Sequence, residues 1–541
     1  MRTNIFHSVA PISKFCIFLC ALVWSQVSSV SAQQNVFQLF QDDIKKGDEY
    51  FRQGSYRHAL EVYLSQQHKG STDLDLKIAR SYYHLHDYAS SMEQFEKAAG
   101  ASKFLSPGDN LLFAEALAAN GKYSKAIDRY QEYLRSAQDD ELIQNKIWRL
   151  KNIQFLFEDS LHFCLRTLPV NSTFSDFGAV PYQDGVVFVS NRKNSNTFES
   201  VDALTGENDF QLYYAPAVHE PGSGEAVYSR ASAFKGLEAK SHSGPVMFYG
   251  EGTKAVFTKV SGGTARNSKK TLQLFFAERT EKSWFEAGAF QFNSPEYNLS
   301  EPFITWDGLT LYFSSDMKGG YGGKDIYKSE WKNSGWSTPR NLGSVINTRF
   351  DESFPHIYKN HLYFSSNGHP GMGGLDVFKV PMSGNDYGDV TNPGFPLNSC
   401  ADDFAFSFRP DGNGAFLTSN RGNSSDDLYE VEIDLQSYPV RISGTLKTKD
   451  FTLGDSTRIH LLPSARMYLI DHTREIIIDE VSSDADGHFE LSIPYFSQYK
   501  IRVVETSGAE SIVSLQIPRQ KKTDYNHEIV VVKDAFHTPG E

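Results

Sequence analysis

The stretch Asn360-His361-Leu362-Tyr363-Phe364-Ser365-Ser366, followed by Asp376-Val377-Phe378, decides the fold of most of this chain. It reads as a polar turn, a strand of alternating pattern ending in Phe and small polar residues, a glycine-rich turn, and then Asp-apolar-aromatic. The unit stands before it as Asp307-Gly308-Leu309-Thr310-Leu311-Tyr312-Phe313-Ser314-Ser315 with Asp325-Ile326-Tyr327. It stands after it as Asp411-Gly412-Asn413-Gly414-Ala415-Phe416-Leu417-Thr418-Ser419 with Asp427-Leu428-Tyr429. Looser copies surround Val187-Phe188-Val189-Ser190 with Leu212-Tyr213-Tyr214, and Val256-Phe257-Thr258 with Leu274-Phe275-Phe276. The repeating Phe falls at 188, 257, 313, 364 and 416. Repeats of roughly 40 to 50 residues holding about four short strands each are the signature of propeller blades. Residues 160–436 are thus predicted to form five blades, or six if Leu161 to Val170 builds a further one with the end of the chain. The preferred reading has that first strand joining the last blade and closing the ring, which would bring Cys164 toward Cys400.

Upstream, residues 33–159 read as helical. Gly54-x-Tyr56-x-x-Ala59-x-x-x-Tyr63 is echoed by Asp87-Tyr88-x-x-Ser91-x-x-x-Phe95 and Gly121-x-Tyr123-x-x-Ala126-x-x-x-Tyr130. The period brackets the roughly 34 residues of tetratricopeptide repeats, in which a small residue lets two helices approach and an aromatic fills the gap between them. Three such repeats, with Glu141 to Phe157 as a capping helix, predict an all-α array. Downstream, residues 437–541 alternate in short strands, as in Val440-Arg441-Ile442-Ser443-Gly444-Thr445-Leu446 and Tyr499-Lys500-Ile501-Arg502-Val503-Val504. They predict a small all-β sandwich. The expected fold class is therefore multidomain: helical array, propeller, sandwich.

At the start of the chain Arg2 and Lys14 flank an apolar run, Phe15 to Trp24, that leads to Val30-Ser31-Ala32. That is the pattern of a secretory signal peptide over residues 1–32, with cleavage between Ala32 and Gln33. The run is too short to span a bilayer as a helix, which needs about 20 apolar residues. The chain carries a net charge of −13, and losing two basic residues with the leader takes it to −13 − 2 = −15. An acidic chain without a basic stripe lacks the footprint that nucleic acid requires. Only Cys164 and Cys400 follow the leader. Two thiols is one reading, and a single disulfide between them is the alternative that an exported compartment permits.

Two consecutive blades carry a more specific pattern. Asn341-Leu342-Gly343-Ser344-Val345-Ile346-Asn347-Thr348, Asp351-Glu352-Ser353-Phe354-Pro355 and Gly371-Met372-Gly373-Gly374-Leu375-Asp376-Val377-Phe378 form one copy, with Gly319-Gly320-Tyr321-Gly322-Gly323-Lys324-Asp325-Ile326-Tyr327 in the blade before. This resembles the TolB-type, WD-like repeat of envelope proteins of the Bacteroidota. Ile442-Ser443-Gly444-Thr445 and Asp484-Ala485-Asp486-Gly487-His488-Phe489 resemble the carboxypeptidase regulatory-like domain. The order of the modules is similar to the PorE type of periplasmic protein, associated with the type IX secretion and gliding machinery. That resemblance implies a periplasmic location beside the outer membrane and protein partners there, with an indirect link to peptidoglycan. The family's OmpA-like wall-binding domain is not legible up to Glu541, so wall anchoring is not carried over.

Chemistry is sparse in the pattern. Thr305-x-Asp307-Gly308-x-Thr310 looks a little like an Asp box, but Asp-Gly pairs are what tight turns require. Asp325, Asp376 and Asp427 read as side chains fixing loops. Asp484-x-Asp486-Gly487 resembles half of a calcium loop, but with Ser482 as the first position the twelfth is Ile493, where a bidentate Glu is needed. No GxSxG or HExxH occurs, and the glycine clusters are not phosphate loops. Exposed loop aromatics such as Tyr321 are candidate contacts. The expectation is a non-catalytic scaffold or adaptor binding protein partners at an outer-membrane assembly, with no enzyme activity, cofactor or metal. The alternative is a propeller that binds peptidoglycan or another glycan directly.

Overall fold

The computed structural model describes residues 43–67, 71–101, 104–158, 163–193, 208–219, 226–237, 242–261, 270–281, 283–410, 412, 414–422, 425–433, 440–451, 457–471, 476–493, 498–516 and 524–532. The leader and its cleavage site at Ala32 and Gln33 lie outside them. The chain divides into two compact units, the first made by the described residues up to Asp109.

Eight helices are described: α1 over 43–52, α2 Tyr56–Ser65, α3 Thr72–His84, α4 Tyr88–Ala101, α5 Pro107–Ala119, α6 Tyr123–Leu134, α7 Glu141–Lys151 and α8 Phe155–Glu158. The small and aromatic pattern residues Ala59, Tyr63, Ser91, Phe95, Ala126 and Tyr130 are buried. The expected all-α array as a domain in its own right is nevertheless corrected. The helices are short and confined to the first part of a chain that is otherwise β. The division of the chain also falls among the helices, since α6 to α8 belong to the second unit. The reason is visible in their polar contacts. Arg349 of the propeller grips Asp140 with both guanidinium nitrogens, at 2.8 and 2.7 Å. Lys146, buried on α7, donates to Glu115 and to the Asn367 carbonyl at 2.7 Å each. Leu156 accepts from the Phe395 N–H at 2.7 Å. A buried cation held this way costs several kcal/mol to uncouple, since its partners would be left unpaired.

The second unit holds a propeller of five blades, each an antiparallel sheet that adds strands outward in chain order. Blade 1 is Asp176–Tyr182, Gly185–Ser190, Gln211–His219 and Ala226–Tyr228, with Ser232–Ala233 also on its third strand. Blade 2 is Ser243–Tyr249, Lys254–Ser261, Thr271–Arg279 and Trp284–Ala289. Blade 3 is Leu299–Ile304, Thr310–Ser315, Asp325–Lys332 and Gly335–Trp336, with Arg340–Asn341 also on its third strand. Blade 4 is Glu352–Tyr358, His361–Ser366, Asp376–Ser383 and Asp386–Tyr387. Blade 5 is Asp403–Phe408, Gly414–Ser419 and Asp427–Ile433, and its outer strand is Phe163–Thr167, the first strand of the domain. The ring therefore closes by joining its two ends in one sheet. Asn171 locks that closure, its amide accepting from Leu428 N–H and donating to Leu428 C=O. Asn347 and Asn398 make the same pair of bonds to Ile326 and Val377 in blades 3 and 4.

Between blades, one apolar layer repeats. Phe188, Phe257, Phe313 and Phe364 each face the preceding blade from the second strand, and the equivalent in blade 5 is Leu417 rather than Phe416. Ser366 pairs with Asp376 and Ser419 with Asp427, which fixes that register. Phe416 faces blade 1 instead, against Tyr228. Each such buried ring contributes roughly 2 to 3 kcal/mol relative to exposure.

The C-terminal segment forms two four-stranded sheets. The inward residues Ile442, Leu446, Met467, Leu469, Leu491 and Ile501 build their core, and Leu156, Met372 and Phe395 join it. Among the described residues no helix is long and apolar enough to cross a membrane.

Candidate functional site

Propellers present two faces, and here they differ in chemistry. On the face of the glycine-rich turns, carboxylates hold loops. Asp325 accepts from the N–H groups of Tyr321 and Gly322, and Asp376 from those of Met372 and Gly373. The first residue of an inner strand does the same in three blades. Asp176, Glu352 and Asp403 each accept from the backbone N–H and the hydroxyl of the residue four positions earlier, Ser172, Thr348 and Ser399. Arg192 and Arg421 pair with Asp176 and Asp403. Blade 4 departs from this, because Gly368 stands where those arginines do. A β-carbon there would lie 1.9 Å from Thr348 Oγ1. Glu352 is fully buried, and burial pushes its carboxyl up to about 7 against the hydrogen bonds from Thr348 and Ser366.

Along the axis runs a cavity of about 40 Å³, lined by inner-strand residues that include Glu301, Phe303, Phe354, His356 and Ser407. Glu301 pairs with Lys324 at 3.0 Å. Burial lowers Lys324, but Glu301, Asp351 and Asp316 outweigh it and leave the ammonium above its ordinary value. His356 is driven down to about 3 by burial and stays neutral, accepting from Phe408 N–H at 3.2 Å. That volume accommodates one or a few waters and not a sugar ring.

The opposite face, made by the tight turns, carries larger clefts between blades. Each blade's outer strand sets one aromatic residue toward its predecessor: Tyr228, Trp284, Trp336, Tyr387 and, in blade 5, Phe163. Their register partners are Ala217, Arg279, Trp331, Met382 and Ile433. What this aromatic meets is the third strand of the neighbouring blade, and the residue there varies. Between blades 2 and 3 it is Phe276, on which Trp336 stacks at 5.6 Å and 7°. Between blades 1 and 2 that position is Tyr214, which together with Trp284 lines a cavity of about 310 Å³.

That cavity has an aromatic floor. Trp284, Tyr182 and Phe234 are buried, with Trp284 Nε1 donating to the Tyr182 hydroxyl at 3.3 Å and the Phe234 and Trp284 rings 6.4 Å apart. Gly236, at φ +96°, lets the Trp284 backbone approach closely, since a β-carbon there would lie 2.9 Å from Trp284 Cβ and 3.1 Å from its backbone N and O. Tyr214 stands at the wall, half-buried, its hydroxyl donating to Asp184 at 2.7 Å. Burial and that carboxylate hold the phenol well above its ordinary value, so it stays protonated. The rim is polar and exposed: Gln183, Lys235, Arg279 and Glu281. The Gln183 amide oxygen faces the Arg279 guanidinium. The size lies at the lower end of small-molecule sites, and apolar rings below a few convergent polar groups is their usual composition.

The residues singled out in the sequence lie elsewhere. Cys164 and Cys400 remain thiols. The disulfide alternative is corrected by the register: Cys164 pairs with Glu432, which pairs with Gly414 at one end of blade 5, whereas Cys400 precedes Asp403, which pairs with Ser419 at the other. A strand of that length separates them by roughly 17 Å, beyond the reach of a disulfide. Tyr321 is exposed on the glycine-turn face. Asp307 closes a turn, accepting from Thr305 and the Leu309 N–H. Asp484 likewise accepts from the N–H groups of Asp486 and His488. Among the described residues no three His, Cys, Asp or Glu side chains cluster as metal ligands. The sequence reading missed Tyr214 as a site residue and all of Trp284, Trp336 and Tyr387. A signal existed, since the last three each follow the third-strand aromatic, Phe275, Tyr327 or Phe378, by nine residues.

No family model and no curated protein sequence matches the chain. Solved structures similar to it include a sucrose-6-phosphate hydrolase from Lactobacillus gasseri, at 10% identity over 70% of this chain and 92% of that one, with a TM-score of 0.35. An endo-arabinase from Bacteroides thetaiotaomicron is similar at 12% identity over 50% and 98%, TM-score 0.33. So is an exo-β-1,3-galactanase from Clostridium thermocellum, at 9% over 65% and 86%, TM-score 0.33. These are carbohydrate-acting enzymes and not adaptors. On that finding the expectation of a non-catalytic scaffold, and of a chain that is not an enzyme, is corrected and goes no further.

Proposed function

We propose that the cleft between blades 1 and 2 binds a carbohydrate. The observation that supports it is the pairing of an aromatic floor and wall, Tyr182, Trp284, Phe234 and Tyr214, with an exposed polar rim in a cavity of about 310 Å³. A sugar ring has one face of C–H groups and an equator of hydroxyls. The first packs on the electron-rich face of an aromatic ring, and the second needs donors and acceptors at its edge. Gln183, Lys235, Arg279 and Glu281 supply both. Tyr214 is fixed by Asp184, so little side-chain entropy is lost when a ligand arrives. Two carboxylates stand at this cleft, Glu281 on the rim and Asp184 beside Tyr214 at the wall, and what the aromatic floor and polar rim support is binding of the sugar. An N-terminal export segment, as read from the sequence, would place the propeller among envelope glycans.

The test is saturation-transfer NMR followed by calorimetry on a panel of arabinan, galactan, fructan and peptidoglycan fragments. At least one should bind with a dissociation constant below about 1 mM, or some 4 kcal/mol, with binding lost in Tyr214→Ala. A panel without any binder, or undiminished binding by Tyr214→Ala, contradicts the reading. Reducing ends released in the same samples would extend it from binding to cleavage.

A further inference from the structure

The equivalent cleft between blades 3 and 4 has the same frame and the opposite chemistry. The third-strand position held by Tyr214 in blade 1 and Phe276 in blade 2 is Lys328 in blade 3. Lys328 pairs in register with Arg340, as Tyr214 does with Ser232. A cavity of about 200 Å³ is lined by Lys328, Glu330, Ser337, Thr338, Arg340 and Asn385. We propose that this cleft is an oxyanion site, taking a phosphate- or sulfate-sized group held by Lys328 and Arg340.

Three observations carry it. Lys328 is only 6% exposed, and a buried ammonium demands an anionic or strongly accepting partner. Its carboxylate neighbour meets that demand in part: Glu330 stands 3.4 Å away and is shared with Lys332. The charged residues that line the cleft are two cations, Lys328 and Arg340, and one anion, Glu330, a local balance of +2 − 1 = +1 in a chain of net charge −13. Second, both Lys328 Nζ and Arg340 Nη2 donate to one atom, the side-chain oxygen of Asn385 on the turn of blade 4. A neutral amide oxygen thus occupies the point where two cations converge, the position an oxyanion oxygen would take with charge-assisted bonds about twice as strong. Third, Ser337 and Thr338 line the same cavity and add hydroxyls at its edge. Two cations and two hydroxyls in one small cleft suit a tetrahedral oxyanion, free or carried on a sugar. This inference is independent of the carbohydrate reading, because no residue is common to the two clefts.

The experiment is thermal unfolding of the full chain in sodium sulfate, sodium phosphate or sodium chloride at matched ionic strength, with a sulfated monosaccharide as a fourth arm. Sulfate or phosphate should raise the unfolding temperature by about 2 to 4 °C above chloride. The response should vanish in the exposed substitution Arg340→Gln. Asn385→Asp places a carboxylate at the convergence point. It should raise the unfolding temperature without added anion and abolish the response, a gain that a merely misfolded variant could not mimic. Tighter binding of the sulfated sugar would assign the group to a saccharide, and equal or weaker binding would assign it to the free anion. Equal stabilisation by chloride, or a full sulfate response retained by both variants, overturns the site.

Discussion

Cleft 1/2 and cleft 2/3 are built from one plan and end in different states. In both, an outer-strand tryptophan, Trp284 or Trp336, reaches back toward the preceding blade. In one it meets Phe276 flat on and the two rings stack. In the other, Tyr182 and Phe234 hold the indole in the floor, Tyr214 turns its hydroxyl to Asp184, and a cavity stays open. One aromatic side chain, tethered by a carboxylate or not, separates packing from a site. A propeller can thus vary function cleft by cleft while its inner strands and asparagine locks stay the same.

The comparison can be broken most severely at its floor. Trp284→Ala removes a buried ring and the hydrogen bond to Tyr182, and should destabilise the propeller by about 3 to 5 kcal/mol, as read by urea unfolding followed through the propeller's tryptophans. Trp336→Ala should cost a similar amount or somewhat less, and leave carbohydrate binding unchanged.

The next effect concerns the glycine-turn face, where blade 4 differs from blades 1 and 5 by one missing arginine. Glu352 has a folded pKa raised from 4.5 to about 7. Its stabilising contribution is complete below about pH 4.5, where both states are protonated, and is lost as pH rises through 7, because the unfolded chain ionises first. The loss is on the order of 3 kcal/mol. Glu352→Gln should flatten the fall in unfolding temperature between pH 4.5 and 7 and leave a more stable protein at pH 8. A wild-type curve flat over that window would contradict the assignment.

Smaller still is the rim. Lys235→Ala and Glu281→Gln touch exposed groups and should change stability by less than about 0.5 kcal/mol. Each should weaken carbohydrate binding severalfold, a difference that calorimetry resolves.

Much of the propeller was legible because Phe-Ser-Ser and the following Asp recur on opposite sides of one glycine-rich turn. That pattern encodes a hairpin and its loop together. Its register failed in blade 5, where Phe416 and Leu417 are both apolar and alternation alone does not say which faces blade 4. The helical region was legible residue by residue, yet not as a domain. Ala126 and Tyr130 describe a local helix pair, and nothing in them shows that Asp140, Lys146 and Leu156 spend their contacts on the propeller. The clefts were hardest to see, since Tyr214 and Trp284 lie 70 residues apart and become neighbours only when blades pack. The nine-residue interval to Trp284, Trp336 and Tyr387 was the trace left in the chain.

The most direct measurement is a calorimetric titration, with the best saccharide of the panel, of the wild type, Tyr214→Ala and Phe276→Ala side by side. The expected result is binding by wild type and Phe276→Ala, and a loss of at least about tenfold, or 1.4 kcal/mol, in Tyr214→Ala alone. Equal loss in both variants, or none in Tyr214→Ala, would show that the cleft between blades 1 and 2 is not where the saccharide sits.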